Sequence, residues 1–279
     1  MNIWVAILYG MIGGVTELLP VSFGAHASVL YRAFHLPSVF SGGGLYLRAA
    51  ITLGLVLALR VSFAADWCGL RAGMRALRRP PRRRRISPAL ALRRRSALLG
   101  MCALLPCLLS LIFTAAAERL NGLVVNAVFL ALNGALIFFA SRYADGKKTE
   151  KTVMLPEVAV VGAARAVCVL PGLSPVAASY SAGKLCGLEP DYNFRLTYLL
   201  ALAASIALFF FRFIRAVALA KFTFSLFLPC LLACIVSAIC GNLTVQYFKY
   251  LLNRGKFAVF SYYCWDLAAV MLILALINS

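Results

Sequence analysis

Six apolar stretches constrain this chain more than any motif does: Leu45 to Ala64, Ser96 to Ala117, Gly122 to Ala140, Leu196 to Phe211, Phe222 to Cys240 and Phe257 to Ile277. Each suits a helix crossing the roughly 30 Å of hydrocarbon in a bilayer. Two further apolar regions, Ile3 to Phe34 and Leu155 to Leu188, are interrupted halfway by Pro, Gly and Ser. Broken backbone at membrane depth is tolerated only where protein or a cavity satisfies it. Each region is therefore expected to be a helix–break–helix hairpin that dips into the membrane and returns; a plain spanning helix is the simpler alternative. The expected fold class is an all-α polytopic membrane protein with six transmembrane helices plus two re-entrant hairpins.

Composition excludes a soluble globular domain, because 63% of the residues are hydrophobic and only 13% charged. The net charge of +19 would suit nucleic acid, yet eleven of the 28 basic residues are arginines between Arg71 and Arg95. No aromatic residue interleaves that run, so residues 71–95 read as a cytoplasmic loop meeting anionic lipid headgroups, and no nucleic-acid partner is expected. Of nine cysteines, seven lie in apolar runs and none forms a Cys-x-x-Cys pair, which reads as small buried packing. No basic region precedes Glu17, so no removable signal peptide is expected.

The second basic segment, Arg142 to Lys151, also reads as cytoplasmic. Parity then leaves a short external turn at Glu118-Arg119, places Arg212 to Lys221 outside and Asn242 to Lys256 inside, and opens the two hairpins to opposite faces. Hairpin plus spans in each half, oppositely oriented, is the pattern of an inverted repeat. The expected organisation is one integral membrane domain over 1–279, with repeat one at about 1–140 and repeat two at about 154–279. Leu19-Pro20-Val21-Ser22 echoes Leu170-Pro171-Gly172-Leu173-Ser174 at the two breaks.

The breaks also hold the polar chemistry. Glu17 sits three residues before Pro20, where a lone ionised carboxylate is costly unless paired or reached by water. It reads as a general base or cation ligand, or as half of a structural ion pair with Arg165. His26 could transfer protons, bind a metal or attack phosphorus, or be a solvated or core histidine. His35, beside Pro37, reads as a loop residue. Ser22, Ser174, Ser179 and Ser181 supply hydroxyls, Gly24 and Gly172 admit close backbone N–H groups, and helix N-termini near Gly24 and Pro175 would turn positive dipole ends into a cavity. Small hydroxyl residues also serve ordinary helix packing. Asp266, in the last span, reads as a second buried carboxylate, structural or of unknown role, without a surrounding motif.

Thr16-Glu-Leu-Leu-Pro-Val-Ser-x-x-x-His26 resembles the Thr-Glu-Phe-Leu-Pro-(Val/Ile)-Ser-Ser-(Ser/Thr)-Gly-His signature of bacterial undecaprenyl-diphosphate phosphatases of the bacitracin-resistance type. Pro171-Gly172-Leu173-Ser174, with Ser181-Ala182-Gly183 and Leu199-Leu200-Ala201 beyond, resembles that family's Pro-Gly-x-Ser-Arg-Ser-Gly-Ala-Thr-Ile-Ser block and the span after it. The resemblance implies hydrolysis of undecaprenyl diphosphate to the monophosphate for lipid-carrier recycling, usually with a divalent cation (Mg or Ca). It implies a site reached from the outer face of the bacterial plasma membrane. Carried onto this sequence, the catalytic residues are Glu17, His26 and Ser22, with Glu17 as metal ligand, and Ser174, Ser179 and Gly172 bind substrate; Arg165, which matches no motif residue, is added as a substrate-binding candidate. The expected partners are the polyprenyl diphosphate lipid, the membrane and a second copy of the chain.

The sequence also departs from the pattern. The family's first glutamate falls on Gly13, its second and third hydroxyls on Phe23 and Gly24, and its glycine before histidine on Ala25. In the second motif the arginine falls on Pro175, the next serine on Val176 and the threonine on Ser179. Arg165 stands where the family has a neutral or acidic polar residue, and could reach the cavity to compensate. The alternative reading is a catalytically impaired homologue that binds or translocates a prenyl-phosphate lipid.

Overall fold

The computed structural model describes residues 2–78 and 88–277, and among them the chain is helical without a β-strand. The first apolar region forms two short helices, α1 (Ile3–Thr16) and α2 (Phe23–Ala33), followed by α3 (Gly44–Ser62), α4 (Ala64–Arg78), α5 (Pro88–Arg119) and α6 (Leu123–Arg142). The second gives α7 (Leu155–Val167) and α8 (Pro175–Leu185), followed by α9 (Pro190–Leu219), α10 (Phe227–Asn253) and α11 (Val259–Ile277). Among the described residues six helices are long and apolar enough to cross a membrane, at the six positions that the apolar runs mark. The protein is a multi-pass membrane protein.

Local chemistry sets the starts. Ser22 caps α2 by accepting from the Ala25 N–H at 3.4 Å, and Ser174 caps α8 by accepting from the Ala177 N–H at 3.3 Å. Pro175 follows Ser174 at the first helical position, where its missing N–H costs nothing. Glu189 and Pro190 open α9 in the same way, the carboxylate accepting from the Tyr192 N–H at 3.0 Å.

Two bounds differ from the sequence reading, and both differences bring charge inside. The fourth span runs on past Phe211 to Leu219, so Arg212 lies within α9 and is buried rather than in an external loop. Glu118 completes the last turn of α5 and points inward to Arg48 and Arg215 instead of forming an exposed turn. The Arg-rich segment expected as a loop over 71–95 is helical to Arg78 and from Pro88; residues 79–87 lie outside the described residues.

The ends that parity placed together do gather. Arg95 donates to the Val153 carbonyl at 2.6 Å, Ser96 donates to Glu150, Lys249 pairs with Asp191 at 3.0 Å and Arg195 with Asp66. Those contacts form a basic end of the molecule. Lys148 joins it, its Nζ donating both to Glu157 at the start of α7 and to the Cys186 carbonyl just past α8, so the outer ends of the α7–α8 pair lie side by side. The opposite end joins Arg48, Glu118 and Arg215, with the Tyr46 hydroxyl donating to the Ala220 carbonyl at 3.1 Å.

The halves interlock: α1 packs on α10 and α7 on α5, α3 on α10 and α9 on α5, α3 on α9, and α6 on α11. Glycine makes the tightest of these contacts. A Cβ at Gly54 of α3 would stand 2.3 Å from the Cys234 carbonyl of α10, while the Ser237 hydroxyl donates to the Ile51 carbonyl at 3.0 Å beside it. Gly54→Val should therefore lower the unfolding free energy by about 1–3 kcal/mol, as overpacking does. Denaturant or thermal unfolding in detergent checks this; an unchanged midpoint would mean that α3 and α10 can spread.

Candidate active site

Breaking α1 before α2 frees backbone carbonyls that a membrane cannot hydrate. Three successive ones are taken by side chains from elsewhere in the protein. The Tyr198 hydroxyl of α9 donates to Leu18 at 2.6 Å, the Ser174 hydroxyl to Leu19 at 3.1 Å, and the Asn133 amide of α6 to Pro20 at 3.1 Å. The other face of the same amide accepts from the Ser174 N–H at 3.0 Å, so Asn133 ties the two breaks together. Asn133, Ser174 and Tyr198 are fully buried.

Beside this tie lies a cavity of about 150 Å³ between the two breaks and the helices α3, α5 and α9. Glu17, Ser22, Gly24, Arg165, Pro171 and Gly172 line it from the breaks and the half-helices next to them. Arg48, Glu118 and Arg212 line it from the long helices. Three guanidiniums thus face two carboxylates. Glu118 is held by Arg48 and by Arg215 behind it, and Arg212 stands 3.6 Å from Glu17 while also donating to Thr52. Arg165 makes no ion pair among the described residues, and its Nη1 is buried without a hydrogen-bond partner. Such a group is costly to leave unmatched, and an excess of guanidinium over carboxylate is the charge balance that suits an anion.

The remaining expected site residues divide. Ser22 and Gly172 flank the cavity; Gly172 has φ of +90°, and a Cβ there would stand 2.5 Å from the Asn126 carbonyl, so only glycine fits. Among the described residues the Ser22 hydroxyl has no acceptor. Ser174 is spent on the Leu19 carbonyl, and Ser179 donates to the Pro175 carbonyl at 2.7 Å within its own helix; neither lines the cavity. His26 does not line it either. Its Nδ1 donates to the Ser22 carbonyl at 2.6 Å, and its Nε2 accepts from the Tyr263 hydroxyl at 2.6 Å, against whose ring it stacks. His35 sits in an exposed loop, as its sequence context suggests, whereas Asp266 is not buried as its place in an apolar span suggests: it is exposed on α11, away from the cavity.

The model of the family described as bacitracin resistance protein BacA matches residues 6–270. The chain belongs to the BacA family. Similar relatives include proteins of Thermodesulfovibrio yellowstonii (25% identical, covering 96% of each chain), Methanobrevibacter smithii (25%, 97% of each) and Carboxydothermus hydrogenoformans (27%, 98% of each). Each of these bears the name undecaprenyl-diphosphatase.

Sequence reading missed Arg48, Glu118 and Arg212 in this BacA site. The signal for Arg48 was present: a charge inside the apolar run from Leu45 to Ala64 marks an intramembrane function by default. For Glu118 and Arg212 the signal was lost in the assignment of both to loops. The acidic side chains in the cavity are Glu17 and Glu118, and guanidiniums occupy both; among the described residues no cluster of three His, Cys, Asp or Glu could hold a metal. These two carboxylates do not form a cage for the divalent cation expected from the family.

Removing Arg212 should strand Glu17. Arg212→Met is expected to lower stability by as much as about 3 kcal/mol, and Glu17→Gln in the same chain should recover part of it, since breaking a buried pair costs mainly the charge left behind. A double-mutant cycle on unfolding measures the coupling. Strict additivity would mean that the 3.6 Å approach carries no interaction.

Proposed function

We propose that this protein hydrolyses undecaprenyl diphosphate to undecaprenyl phosphate and inorganic phosphate in the arginine-lined cavity. The observation that carries the reading is the buried, unpartnered Nη1 of Arg165 in a cavity where guanidiniums outnumber carboxylates. The names of the relatives agree with it, and no observation favours binding or translocation without hydrolysis.

The terminal phosphoryl group is taken to sit between Arg165, Arg48 and Arg212, with the N-terminus of α2 at Ser22-Phe23-Gly24 adding its positive dipole end. Glu17 accepts the proton of the attacking hydroxyl, whether of water or of Ser22. Its oxygen bonds to the terminal phosphorus while the bond to the bridging oxygen breaks, and that electron pair leaves with undecaprenyl phosphate. Where Ser22 supplies the nucleophile, the phosphoserine it forms is cleaved by water to inorganic phosphate and free Ser22. The arginines stabilise charge on the equatorial oxygens. Arg165 takes over the role of the motif arginine that Pro175 has displaced. His26 acts as a positioning residue, fixing the Ser22 carbonyl and through it the entry to α2.

Both broken pairs are read as hairpins that return to the face they enter, and the chain as an inverted repeat in the bacterial plasma membrane with the cavity reached from the outer face. Lys148 bridging the outer ends of α7 and α8, and the reciprocal packing of α1 on α10 and α7 on α5, support that arrangement.

Phosphate release from undecaprenyl diphosphate by purified protein tests the reading. Glu17→Gln and Arg165→Ala should each lower kcat/KM about 10²–10³-fold, the cost of one preorganised group. Arg165→Ala, which breaks no ion pair among the described residues, should leave the melting temperature little changed, whereas Glu17→Gln leaves Arg212 unpaired and should lower it. Absence of phosphate from the unsubstituted protein, with the lipid still bound, would overturn hydrolysis.

A further inference from the structure

A second and larger cavity, of about 500 Å³, lies between α4, α5 and α9 at the basic end of the molecule. Its inner wall is apolar, built from Leu70 and Met74 of α4, Met101 and Leu104 of α5, and Leu200 and Ala203 of α9. Charge is confined to its far rim, where Asp66 and Arg195 pair with each other, Glu150 accepts from Ser96, and Arg93 stands exposed. Nothing in the phosphate chemistry uses this space.

The two cavities are stacked end to end on the same two helices. On α5 the apolar cavity ends at Leu104 and the arginine cavity begins at Cys107; on α9 the former ends at Ala203 and the latter begins at Ala204. On α5 only Leu105 and Pro106 lie between the two linings, and on α9 the linings adjoin. From Glu118 to Ser96 the pair spans about 33 Å of α5 at 1.5 Å per residue, the depth of a bilayer core. The head-group end is cationic and the deeper end is apolar, which is the polarity of one long amphiphile. The wall suits a branched hydrocarbon: two flexible methionines, and two glycines, Gly69 and Gly100, that leave it smooth.

We propose that the apolar cavity holds the distal isoprenoid tail of the lipid whose diphosphate occupies the arginine cavity, and so selects for long-chain substrates. This rests on the phosphatase reading above. Short prenyl diphosphates would place their phosphates normally and never reach the apolar cavity.

The glycines allow a direct test. A Cβ at Gly100 meets only Leu70 Cδ1, at 3.7 Å, and one at Gly69 meets nothing within 4 Å. Gly100→Leu and Gly69→Leu therefore fill the cavity without striking backbone, and each removes a helix-interior glycine. The kcat/KM ratio for undecaprenyl diphosphate over farnesyl diphosphate should fall by about tenfold or more in both variants, the scale at which an apolar pocket discriminates. A ratio equal to that of the unsubstituted protein in both well-folded variants would overturn the proposal. If the unsubstituted protein cleaves neither substrate, the phosphatase reading fails by itself. The tail site is then decided by mass spectrometry of undecaprenyl phosphate retained on purified protein: loss in Gly100→Leu supports it, and undiminished retention overturns it.

Discussion

The fork of hydrogen bonds at Asn133 is the interaction on which the rest of this molecule depends. One side-chain amide donates to Pro20 in the first break and accepts from Ser174 in the second, in a region fully shielded from water. Without it both breaks would hold unpaired backbone in a low-dielectric interior, at about 1–3 kcal/mol for each group. With Ser174 on Leu19 and Tyr198 on Leu18, the tie lets two helices stop in the middle of the protein and point their next helices at one place. The cavity exists because the helices stop there.

Charge follows from the same geometry. A break leaves room, and the long helices α3, α5 and α9 fill its margin with Arg48, Glu118 and Arg212. Two carboxylates temper three guanidiniums, so the cluster tolerates burial while keeping a surplus of cation. Arg165 carries that surplus, being the arginine of this cavity that makes no ion pair with a carboxylate among the described residues. No described residue pairs with it, and an anion would complete the site.

The class of the fold was legible in the sequence because hydrocarbon imposes a length: the six apolar runs coincide with six long helices, and the Pro-Gly-Ser segments with the breaks. Ser22 and Ser174 were legible as helix starts, since both cap the helices that follow them. What was not legible was which charges the spans would carry inward. Arg212 lies at the end of an apolar run and looks like a membrane flank, and only the continuation of α9 to Leu219 buries it against Glu17. Ser174, Ser179 and His26 mislead in the opposite sense. Their residue types suit phosphate chemistry, but a broken helix in a membrane needs the same hydroxyls and imidazole to satisfy its own carbonyls. Sequence spacing cannot separate the two uses, because both place polar groups at the break.

The arginine missing from the second motif bears on how such a site can diverge. At the first position of α8, proline fits the helix start and gives up the cationic side chain that the family's motif has there. Arg165 is on the half-helix just before the same break, and its guanidinium reaches the cavity that Pro175 also lines. Moving a cation from one side of a break to the other keeps it near the same anion while changing the backbone that carries it. A phosphoryl group is held by the positions of charges and donors more than by the identity of the residue supplying each. A break flanked by two half-helices offers more than one place from which to supply them, so the motif can lose its arginine while the cavity keeps its excess of guanidinium.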